Sequence, residues 1–375
     1  MIKILIKIFI LGINIIYSFI KLFPVKNRVT FISRQSNEVS FEFQMIKEEI
    51  DKRNIGMESV FLCHTLDGGY QSSIISKIKY GFHMFTQMYY IATSKVVILD
   101  TYCIVISLLK HKKNLKVIQM WHSIGTMKKF GYQILDLGEG TNKSIAHLMK
   151  MHQNYDYVFC AGEGYRDYLA QGFGCSPDII KIFPLPRVDL LQNQKYQEET
   201  KKKIYGKYPQ LSSKPTIVYV PTFRKDETRF IKAVDSLMKH LDQDYHFVIK
   251  VHPLSKLEIK DKRIFTCEEF SSSEMLSVAD YVISDYSCII YEAAIMNKPI
   301  YLYDFDIDEY NDKRGLNIDL DEELPGCVSQ DFKDIMNSIK DKEYDFERLN
   351  TFRNKYVKET RHATKDIVDF ILSII

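Results

Sequence analysis

Short runs of β-branched and other apolar residues alternate with longer polar or amphipathic stretches over most of the chain. A first set of runs lies at residues 29–33, 59–64, 96–102, 116–122 and 157–162, and a second set lies at residues 216–222, 246–252, 263–266, 281–285 and 299–303. Such an alternation is typical of βαβ units that build a mostly parallel sheet. The pattern therefore predicts an α/β protein with two doubly wound sheets.

A change in composition separates the two sets of runs. The sequence PLPRVD at 184–189 leads into a charged, Gln-rich segment, and Pro209 and Pro215 follow it. We place the boundary here, between a domain at 24–190 and one at 191–375, and we leave open that the last helix packs back on the first domain. Each part has an ordinary domain size. Two such domains facing one another would place the carboxyl ends of their strands on a central cleft, where ligands bind to open parallel sheets.

The opening segment, residues 1–23, is the most hydrophobic stretch of the chain. When it is drawn as a helix with about 100° per residue, its polar side chains fall in one stripe about 60° wide. These side chains are Lys3, Lys7, Asn14, Ser18 and Lys21. A lysine-bearing stripe opposite a broad apolar face is typical of a helix that lies in the plane of a membrane interface. We therefore predict a membrane-associated amphipathic helix that holds the protein on the cytoplasmic face of the cell membrane.

Other interpretations of this segment stay open. Its longest charge-free run, residues 8–20, is short for a membrane span, which needs roughly 20 apolar residues, but a single tilted span is an alternative. A helix of the protein core is another. A signal peptide is disfavoured, because no small-residue cleavage site precedes Pro24.

Composition and charge exclude several classes of protein. Hydrophobic residues make up 46% and charged residues 26% of the chain, which excludes a disordered protein, a collagen-like repeat and a bundle of many membrane spans. The net charge is only +3, and the basic residues near the amino terminus have no acidic neighbours, so the excess positive charge is local. We therefore expect a membrane surface as a partner and no nucleic acid.

The seven cysteines are widely scattered, and none forms a CxxC pair. Zinc sites and thioredoxin-like sites need such close pairs. Most of the cysteines lie in apolar runs, as Cys160 does in VFC, where a thiol acts as a small hydrophobic group. We interpret them as buried, reduced thiols of a cytosolic protein, and we expect no metal site and no cofactor.

Reactive side chains follow several of the predicted strands directly. The run 116–122 ends in Trp121 and His122, and the sequence WHSIGTMKKFG continues with Gly125, which permits close backbone approach, and Lys128. A histidine titrates near neutral pH, so His122 at a strand end is a candidate general base. The alternative is a structural histidine, which is the commoner role of a lone histidine.

Two strands of the second set end in groups suited to phosphate. After the run 216–222, Thr222 and Arg224 offer a hydroxyl and a guanidinium fork, although a solvated basic turn would look the same. The run 246–252 ends at His252, for which a buried structural role is the alternative.

The sequence ISDYSCIIYEAA places Ser284, Asp285 and Ser287 between a predicted strand and a predicted helix. Such residues cap helices, and the N–H groups at a capped end bind anions. The pattern predicts a phosphate cradle without a Gly-rich loop, with simple capping as the alternative. Glu292 lies about two turns into the same helix, where it would contact ribose hydroxyls or face solvent.

Acidic and aromatic residues mix in the sequence YDFDIDEYNDKRG at 303–315. Clustered carboxylates suggest Mg²⁺, but Asp304, Asp306 and Asp308 are also explained as solvated loop acids, and we predict no metal site here. The segment ends at Arg314, a further candidate for donor binding.

Five motifs in one order resemble those of a single family. WHSIGTMKKFG, YVPTFRKDE, VIKVHP, ISDYSCIIYEAAIMNKPIYLYDFD and KRG are similar to the motifs of the CDP-glycerol glycerophosphotransferase family, which builds teichoic acids and related polyol-phosphate polymers in Gram-positive bacteria. The resemblance covers about residues 28–370. The sequences PLPRVD at 184–189 and RHATK at 361–365 resemble two smaller family motifs.

The resemblance implies a GT-B arrangement of two Rossmann-like domains. It also implies transfer of a polyol phosphate from CDP-glycerol, or CDP-ribitol, to a lipid-linked saccharide acceptor at the inner leaflet of the membrane, with release of CMP. The implied catalytic residues are His122 and His252. The implied donor-binding residues are Thr222, Arg224, Ser284, Asp285, Ser287, Glu292 and Arg314. Gly125 and Lys128 are assigned to acceptor or phosphate binding.

Departures from the family pattern indicate which type of enzyme within the family the chain resembles. The sequence has WHS where the polymerases of the family commonly have WHG, it has LPG at 324–326, and it has no long extra domain ahead of the motifs. These features are closer to the priming enzymes, which add the first glycerol phosphate, so we predict a primase-type role. The alternatives are a polyol-phosphate polymerase, a CDP-ribitol-using homologue, a GT-B glycosyltransferase using a sugar nucleotide, and a membrane-bound scaffold without activity.

Overall fold

The computed structural model describes residues 2–65, 73–252, 254–255, 257–341 and 343–375. The chain divides into two compact units. The first unit comprises Met1–Ser123, Phe130–Arg187 and His362–Ile375, and the second comprises Ile124–Lys129 and Val188–Arg361. The chain therefore leaves the first unit twice. It enters the second unit for six residues and returns, and it then forms the rest of the second unit before its last segment rejoins the first.

Helices and strands alternate over most of the chain. From the amino terminus they are α1 Ile2–Ile20, β1 Arg28–Ser33, α2 Phe41–Lys52, β2 Glu58–Cys63, α3 Ile74–Thr93, β3 Val96–Leu99, α4 Ile104–Leu108, β4 Lys116–Gln119, α5 Lys143–Leu148, β5 Tyr157–Cys160, α6 Arg166–Phe173, β6 Ile180–Ile182 and α7 Arg187–Leu191. They continue with α8 Gln194–Lys207, β7 Thr216–Val220, α9 Thr228–Lys239, β8 His246–Ile249, β9 Ile264–Phe265, α10 Ser272–Met275, β10 Tyr281–Ser284, α11 Ile289–Ile295, β11 Ile300–Tyr303, α12 Ile307–Lys313, α13 Leu320–Glu323, β12 Val328–Ser329, α14 Phe332–Asp341, α15 Phe346–Tyr356 and α16 Ala363–Ser373.

The sheet of the first unit has six parallel strands in the order β2-β1-β3-β4-β5-β6. Every residue of β1 and β3 is buried, because helices cover both faces of the sheet, and this explains why these strands are apolar without alternation. The order reverses between β1 and β3, which makes their carboxyl ends the switch point of this sheet.

The sheet of the second unit also has six parallel strands, in the order β9-β8-β7-β10-β11-β12. This is the 3-2-1-4-5-6 order of Rossmann-type nucleotide-binding domains. The switch point lies between β7 and β10, so the residues that follow these two strands are expected to line a ligand site. The predicted α/β class with two parallel sheets is therefore confirmed.

All ten predicted strands are present, most of them one to three residues shorter at their carboxyl ends than the sequence runs. The sequence analysis missed β6 and β12, which have only three and two residues and are too short to give a pattern. Pro253, the last residue of the VIKVHP motif, lies outside the described residues.

The last helix, α16, belongs to the first unit. It packs on α2, where Arg53 pairs with Asp369 at 2.7 Å, and its Phe370 ring contacts Phe159 and Phe183. The buried side chains Ile367 and Ile371 fix the same face of the helix in the core.

Helix α1 is held on the first unit along one face. Asn14 accepts a hydrogen bond from Lys110 N and donates one to Leu108 O, each at 3.0 Å. Lys21 donates to Lys110 O at 2.8 Å, and the buried Tyr17 hydroxyl bonds to His111 Nδ1 at 3.1 Å. Part of the predicted polar stripe thus binds protein backbone, whereas Lys3 and Lys7 are exposed.

The rest of α1 leaves a broad apolar surface uncovered. Lys3–Ile20 has a mean hydropathy of 2.0 and only 11% of it is buried, so the core-helix interpretation does not describe it. The exposed apolar side chains of this helix include Ile4, Leu5, Ile8, Phe9, Leu11 and Phe19. Helix α3 contacts α1 and adds exposed apolar side chains in its first twelve residues, namely Ile74, Ile75, Ile78, Phe82 and Phe85.

The seven cysteines are free thiols. Cys103, Cys160 and Cys267 are buried, as predicted, but the other four are only half-buried, because they lie at strand ends and in connecting segments. The prediction that all of them are buried was therefore wrong in detail.

Candidate functional site

His122 lies in the turn after β4, beyond the backbone-strained Trp121. Trp121 has a φ of +65°, and its N–H donates to the Gln119 side chain at 2.9 Å, so the backbone leaves the extended conformation within two residues of the strand end. The Trp121 ring lies 4.2 Å from the exposed His122 ring and 4.8 Å from Phe130. This aromatic packing fixes the plane in which the imidazole lies.

The backbone carbonyl of Asp100 sets the tautomer of His122. The distance from His122 Nδ1 to Asp100 O is 3.0 Å, and a carbonyl can only accept, so Nδ1 carries the proton and Nε2 has a free lone pair. Desolvation lowers the pKa of His122, the charge of Arg187 lowers it further, and the bond to Asp100 opposes both. A neutral imidazole with a free Nε2 is the state that a general base requires.

The buried Glu42 forms an ion pair with the half-buried Arg187 beside His122. Glu42 is 5% exposed and accepts from Arg187 Nε at 2.7 Å, while Arg187 also lies 3.5 Å from His122 O. The pair lies near the carboxyl ends of the strands, because Glu42 is in the first turn of α2, which follows β1, and Arg187 starts α7, which follows β6. The sequence analysis missed Glu42 altogether, and nothing in the local sequence marks it.

Asp100 is a second residue that sequence reasoning missed. It directly follows β3, which is one of the two strands at the switch point of this sheet. Burial raises the pKa of Asp100 to about 6, against the lowering effect of bonds from Ser33 and Thr101. Its position after an apolar strand was the only available signal.

In the second unit, Thr222 and Asp285 meet at the switch point. Thr222 follows β7 and Asp285 follows β10, and Thr222 N donates to both Asp285 carboxylate oxygens, at 2.9 and 3.1 Å. Asp285 is fully buried and also accepts from Tyr286 N at 2.6 Å. The carboxylate therefore fixes the two strand ends to each other.

Arg224 is enclosed by acidic partners in this cluster. It donates to Asp285 at 2.9 Å, to the two oxygens of Asp306 at 2.6 and 2.8 Å, and to Thr222 O at 2.7 Å. Burial disfavours the cation, but Asp285 and Asp306 outweigh that effect and hold the pKa of Arg224 above its usual value. Most of its N–H groups are thus engaged, and a direct phosphate contact by Arg224 stays a prediction.

The segment Ile124–Lys129 adds a second cationic group, Lys128, to this cluster. Lys128 Nζ donates to Thr222 Oγ1 at 3.2 Å, and Lys128 pairs with Leu316 in an isolated antiparallel bridge. Desolvation lowers the pKa of Lys128, and Cys288 and Asp285 oppose that effect. Gly125 is buried, and its carbonyl accepts from Cys288 Sγ at 3.3 Å.

His252 has the opposite tautomer to His122. Its Nδ1 accepts from Leu254 N at 3.1 Å, so the neutral ring carries its proton on Nε2 and can donate a hydrogen bond. The exposed ring packs 5.0 Å from Phe223. Desolvation, and then the charge of Lys128, lowers the pKa of His252.

The predicted capping of α11 is wrong for Ser284 and Asp285, and for Ser287 it is reduced to one long hydrogen bond from the first residue of the helix. The residue at the N-cap is Cys288, which makes no side-chain cap bond, because the turn after β10 is longer than expected and the helix starts at Ile289. Ser284 is buried and donates to Val220 O at 2.8 Å, which ties β10 to β7. Ser287 accepts only a long bond from Ile289 N, at 3.4 Å.

Two further candidates lie beside the cluster. Glu292 is buried within α11 and does not face solvent, so the solvent alternative is wrong. Arg314 Nε donates to Lys129 O at 2.8 Å and thereby fixes the backbone beside Lys128.

The acids at 304–308 are not arranged as a metal site. Asp306 is committed to Arg224, and its Oδ1 also accepts from the Tyr286 hydroxyl at 3.1 Å. Among the described residues, no group of three or more His, Cys, Asp or Glu side chains has the geometry to hold a metal ion. Metal independence of the reaction stays a prediction.

Comparison with known proteins identifies the family. The model of the family described as CDP-Glycerol:Poly(glycerophosphate) glycerophosphotransferase matches residues 15–373. The chain belongs to this family. The match covers both units and every candidate residue described above, which agrees with the resemblance found in the motifs.

Several named relatives have different activities. The chain is 28% identical to a teichoic acid poly(ribitol-phosphate) polymerase of Bacillus spizizenii over 95% of its own length, but it spans only 58% of that polymerase. It is 26% identical to a teichoic acid ribitol-phosphate primase of the same species, over 94% of the chain and 93% of the primase. It is 28% identical to a teichoic acid glycerol-phosphate primase of Bacillus subtilis, over 78% of the chain and 77% of the primase.

A solved structure has the same fold. A variant of the wall teichoic acid polymerase TagF soaked with CDPG matches with a TM-score of 0.73 and 18% identity, over 99% of this chain and 97% of that chain. At this identity the likeness concerns the fold, which is GT-B-like with two parallel sheets.

Proposed function

We propose that this protein transfers a polyol phosphate from a CDP-activated polyol to a hydroxyl of a polyprenyl-diphosphate-linked saccharide and releases CMP. The observation that carries the proposal is the tautomer of His122, whose Nε2 is free to accept a proton because Nδ1 is held by Asp100 O. Membership of the glycerophosphotransferase family supplies the reaction class.

In this reaction the acceptor hydroxyl loses its proton to His122 Nε2 while its oxygen attacks the β-phosphorus of the donor. The new bond joins the acceptor oxygen to that phosphorus, and the bond to the bridging oxygen breaks, so that CMP leaves with the bridging oxygen. Charge then grows on the leaving phosphate and must be stabilised. His252 donates from Nε2–H, and Lys128 supplies a positive charge.

The other donor-site residues hold these groups in place. Asp285 fixes Thr222, and Thr222 binds Lys128, so the ammonium sits at the switch point of the second sheet. Arg224 neutralises Asp285 and Asp306, which would otherwise repel a diphosphate. We therefore assign Arg224, Asp285 and Ser284 to the framework of the donor site, and Thr222, Ser287, Glu292 and Arg314 to its lining.

Two donors are candidates. CDP-glycerol is the predicted donor, in line with the family description and with the glycerol-phosphate primase relative. CDP-ribitol is the second candidate, because two of the relatives reported above are named for ribitol phosphate. A primase-type role is further proposed from WHS at 121–123 and LPG at 324–326, and two of the relatives reported above are named primases.

The protein is further proposed to work on the cytoplasmic face of the cell membrane, on which its lipid-linked acceptor lies. Support comes from the exposed apolar surface of α1 and α3 and from the exposed Lys3 and Lys7 beside it. The hydrogen bonds of Asn14 and Lys21 hold α1 against the protein and favour an in-plane position over a span.

One assay tests the reaction. The full-length protein is incubated with a synthetic lipid-linked disaccharide and, in parallel, with CDP-glycerol, CDP-ribitol or a UDP-sugar. We expect acceptor-dependent release of CMP with a CDP-polyol and, by mass spectrometry, products extended by one or a few units. Long products would indicate a polymerase, release of UDP would indicate a glycosyltransferase, and no turnover with any donor would support the scaffold alternative.

A further inference from the structure

A cavity of about 380 Å³ lies in the second unit, between the residue that follows β11 and the segment that leads from α12 to α13. Its apolar walls include Leu316 and Ile318, and its polar lining includes Asp304, Asn317, Asp319 and Asp321. The volume is at the low end for ligand sites and suits a small molecule better than a nucleotide.

Asp304 is the feature of this cavity that points to a ligand. The side chain is 6% exposed, and its Oδ1 accepts no hydrogen bond from any part of the chain that the structure describes. Its backbone is fixed by bonds from Asp304 N to Ser329 O at 3.2 Å and from the Tyr286 hydroxyl to Asp304 O at 3.3 Å. Burying an acceptor atom that has no hydrogen-bond donor costs folding free energy, and the fixed backbone prevents Asp304 from turning toward one. A ligand hydroxyl would supply that donor.

The charge of the cavity excludes an anionic ligand. Asp304, Asp319 and Asp321 would repel a phosphate, and burial together with Asp321 and Asp306 already raises the pKa of Asp304 to about 6. A divalent cation is disfavoured, because no metal-holding group occurs among the described residues and Asp319 Oδ1 is committed to the N–H groups of Asp321 and Glu322. Carboxylates beside apolar walls instead suit the hydroxyl and C–H groups of a neutral polyol.

The cavity adjoins the cluster formed by Lys128, Thr222, Arg224, Asp285 and Asp306 on two sides. Leu316, in its wall, pairs with Lys128, and Asn317 donates to Thr126 O at 2.8 Å. On the other side, Asp304 is two residues from Asp306, the partner of Arg224. A ligand with a phosphate at the cluster could therefore extend hydroxyl groups into the cavity.

We infer that this cavity binds the hydroxyl groups of a small polyol unit, with Asp304 as their principal acceptor. The inference rests on the proposed function in one respect, since that function says where a polyol comes from. Two sources carry this chemistry: the polyol that the CDP donor delivers, and the hydroxyl-bearing end of the acceptor. Asp304 would thus determine specificity toward one substrate.

The kinetic test uses the full-length protein and the isosteric variant Asp304→Asn, with Asp308→Asn as the matched control because Asp308 is an exposed acid of α12 that does not line the cavity. We expect Asp304→Asn to raise KM for one substrate at least tenfold and to leave inhibition by CMP unchanged, since CMP has no polyol. A raised KM for the CDP-polyol identifies the donor as the source, and a raised KM for the acceptor identifies the acceptor.

The inference is wrong if Asp304→Asn and Asp308→Asn have the same KM values for both substrates. If Asp304→Asn does not fold, Asp321→Asn, at an exposed position of the same cavity, takes its place with the same expectation. A fall in the apparent pKa of Asp304 on addition of Mg²⁺ would also contradict the inference, because it would show that the cavity binds a cation.

A binding readout separates this inference from the proposed function. Saturation-transfer NMR with free glycerol and free ribitol needs no turnover. We expect a signal from wild type that Asp304→Asn loses and Asp308→Asn keeps. If wild type shows this signal but transfers nothing from any CDP-polyol, polyol binding in the cavity is supported and the proposed function is wrong. Equal signals from all three proteins would show that the cavity does not bind the polyol.

Discussion

Single residues in this protein carry roles that depend on one or two hydrogen bonds. His122 and His252 are chemically identical side chains, and only their Nδ1 partners differ, a carbonyl in one case and an N–H in the other. That difference makes one ring a proton acceptor and the other a proton donor at Nε2. The sequence placed both histidines at strand ends, but it contained nothing about tautomers.

Replacement of His122 tests its role as the base. We expect His122→Ala to lower kcat by about two to four orders of magnitude, because the base acts in the transition state. Measured CMP release gives the rate, and thermal unfolding serves as the control, since an exposed strand-end histidine contributes little to the core. More than a tenth of the wild-type rate in a natively stable variant would rule out this role.

The pH profile tests the same residue differently. Because the proposed base is the neutral form of His122 and desolvation lowers the pKa of this residue, activity should be lost only as the pH falls below the usual histidine value of about 6.5. The measurement is kcat/KM between pH 5 and pH 8. Asp100→Asn should retain the acidic limb, since the bond to His122 comes from the backbone; disappearance of the limb would assign it to Asp100.

Arg224 is predicted to matter first for stability. Arg224→Ala leaves Asp285 and Asp306 buried without their cation, and breaking a buried pair of this kind costs about 3–5 kcal/mol in the free energy of unfolding. Chemical denaturation measures the change. The exposed neighbour Lys225 is the control, and Lys225→Ala should change stability by at most about 0.5 kcal/mol. Equal stability of the two variants would show that the Arg224 ion pairs contribute little to folding, and it would favour direct binding of phosphate by Arg224.

At the scale of elements, the sequence predicted what depends on continuous apolar runs. Ten strands were found because each is a short hydrophobic run, whereas β6 and β12 were too short to leave a signal. The start of α11 was misplaced, because Ser and Asp after a strand can bond across the sheet as readily as they cap a helix. Partnerships such as that of Glu42 and Arg187 join residues far apart in sequence, and no local pattern encodes them.

Helix α1 also shows that a local sequence pattern does not reveal the partners of its residues. Its polar stripe was visible in the sequence, but a stripe does not reveal whether its members meet water, lipid headgroups or protein. In the structure, Asn14 and Lys21 bind backbone carbonyls of the first unit, and Lys3 and Lys7 are exposed. The contribution of α3 to the apolar surface was not predicted, because its exposed residues lie in a helix that also has a buried face.

Charge reversal on α1 tests the membrane proposal. The double variant Lys3→Glu and Lys7→Glu should bind vesicles containing phosphatidylglycerol at least tenfold more weakly than wild type at low salt, since each lysine near an anionic surface contributes about 1 kcal/mol. The control is Lys202→Glu with Lys203→Glu, an equal charge change on α8. Cosedimentation measures binding, and equal binding by both double variants would contradict the in-plane helix.

A substitution on α3 tests the second half of that surface. Phe82 is 69% exposed, so Phe82→Asp should leave the fold intact and weaken vesicle binding even at high salt, where charge interactions are screened. Circular dichroism checks the fold. Unchanged binding at both salt concentrations would confine the membrane contact to α1.

At the scale of the whole molecule, the donor cluster uses side-chain charges of the chain itself. In the proposed reaction Lys128 supplies the positive charge and His252 the hydrogen-bond donor, and Arg224 neutralises Asp306. We therefore expect EDTA to change the rate of CMP release by less than twofold. Complete inhibition that Mg²⁺ reverses would instead assign a metal-binding role to Asp304 and Asp308.

The path of the chain through the two units has a consequence for its synthesis on the ribosome. Strands β1 to β6 emerge first, but α16, which completes the first unit, emerges only after the whole second unit has been made. Until then, the surface of α2 that α16 covers is open to water, including the position of Arg53. The nascent first unit is thus a form that lacks part of its core for the time needed to translate Val188–Arg361, and it is in this interval that chaperones would find an exposed apolar surface to bind.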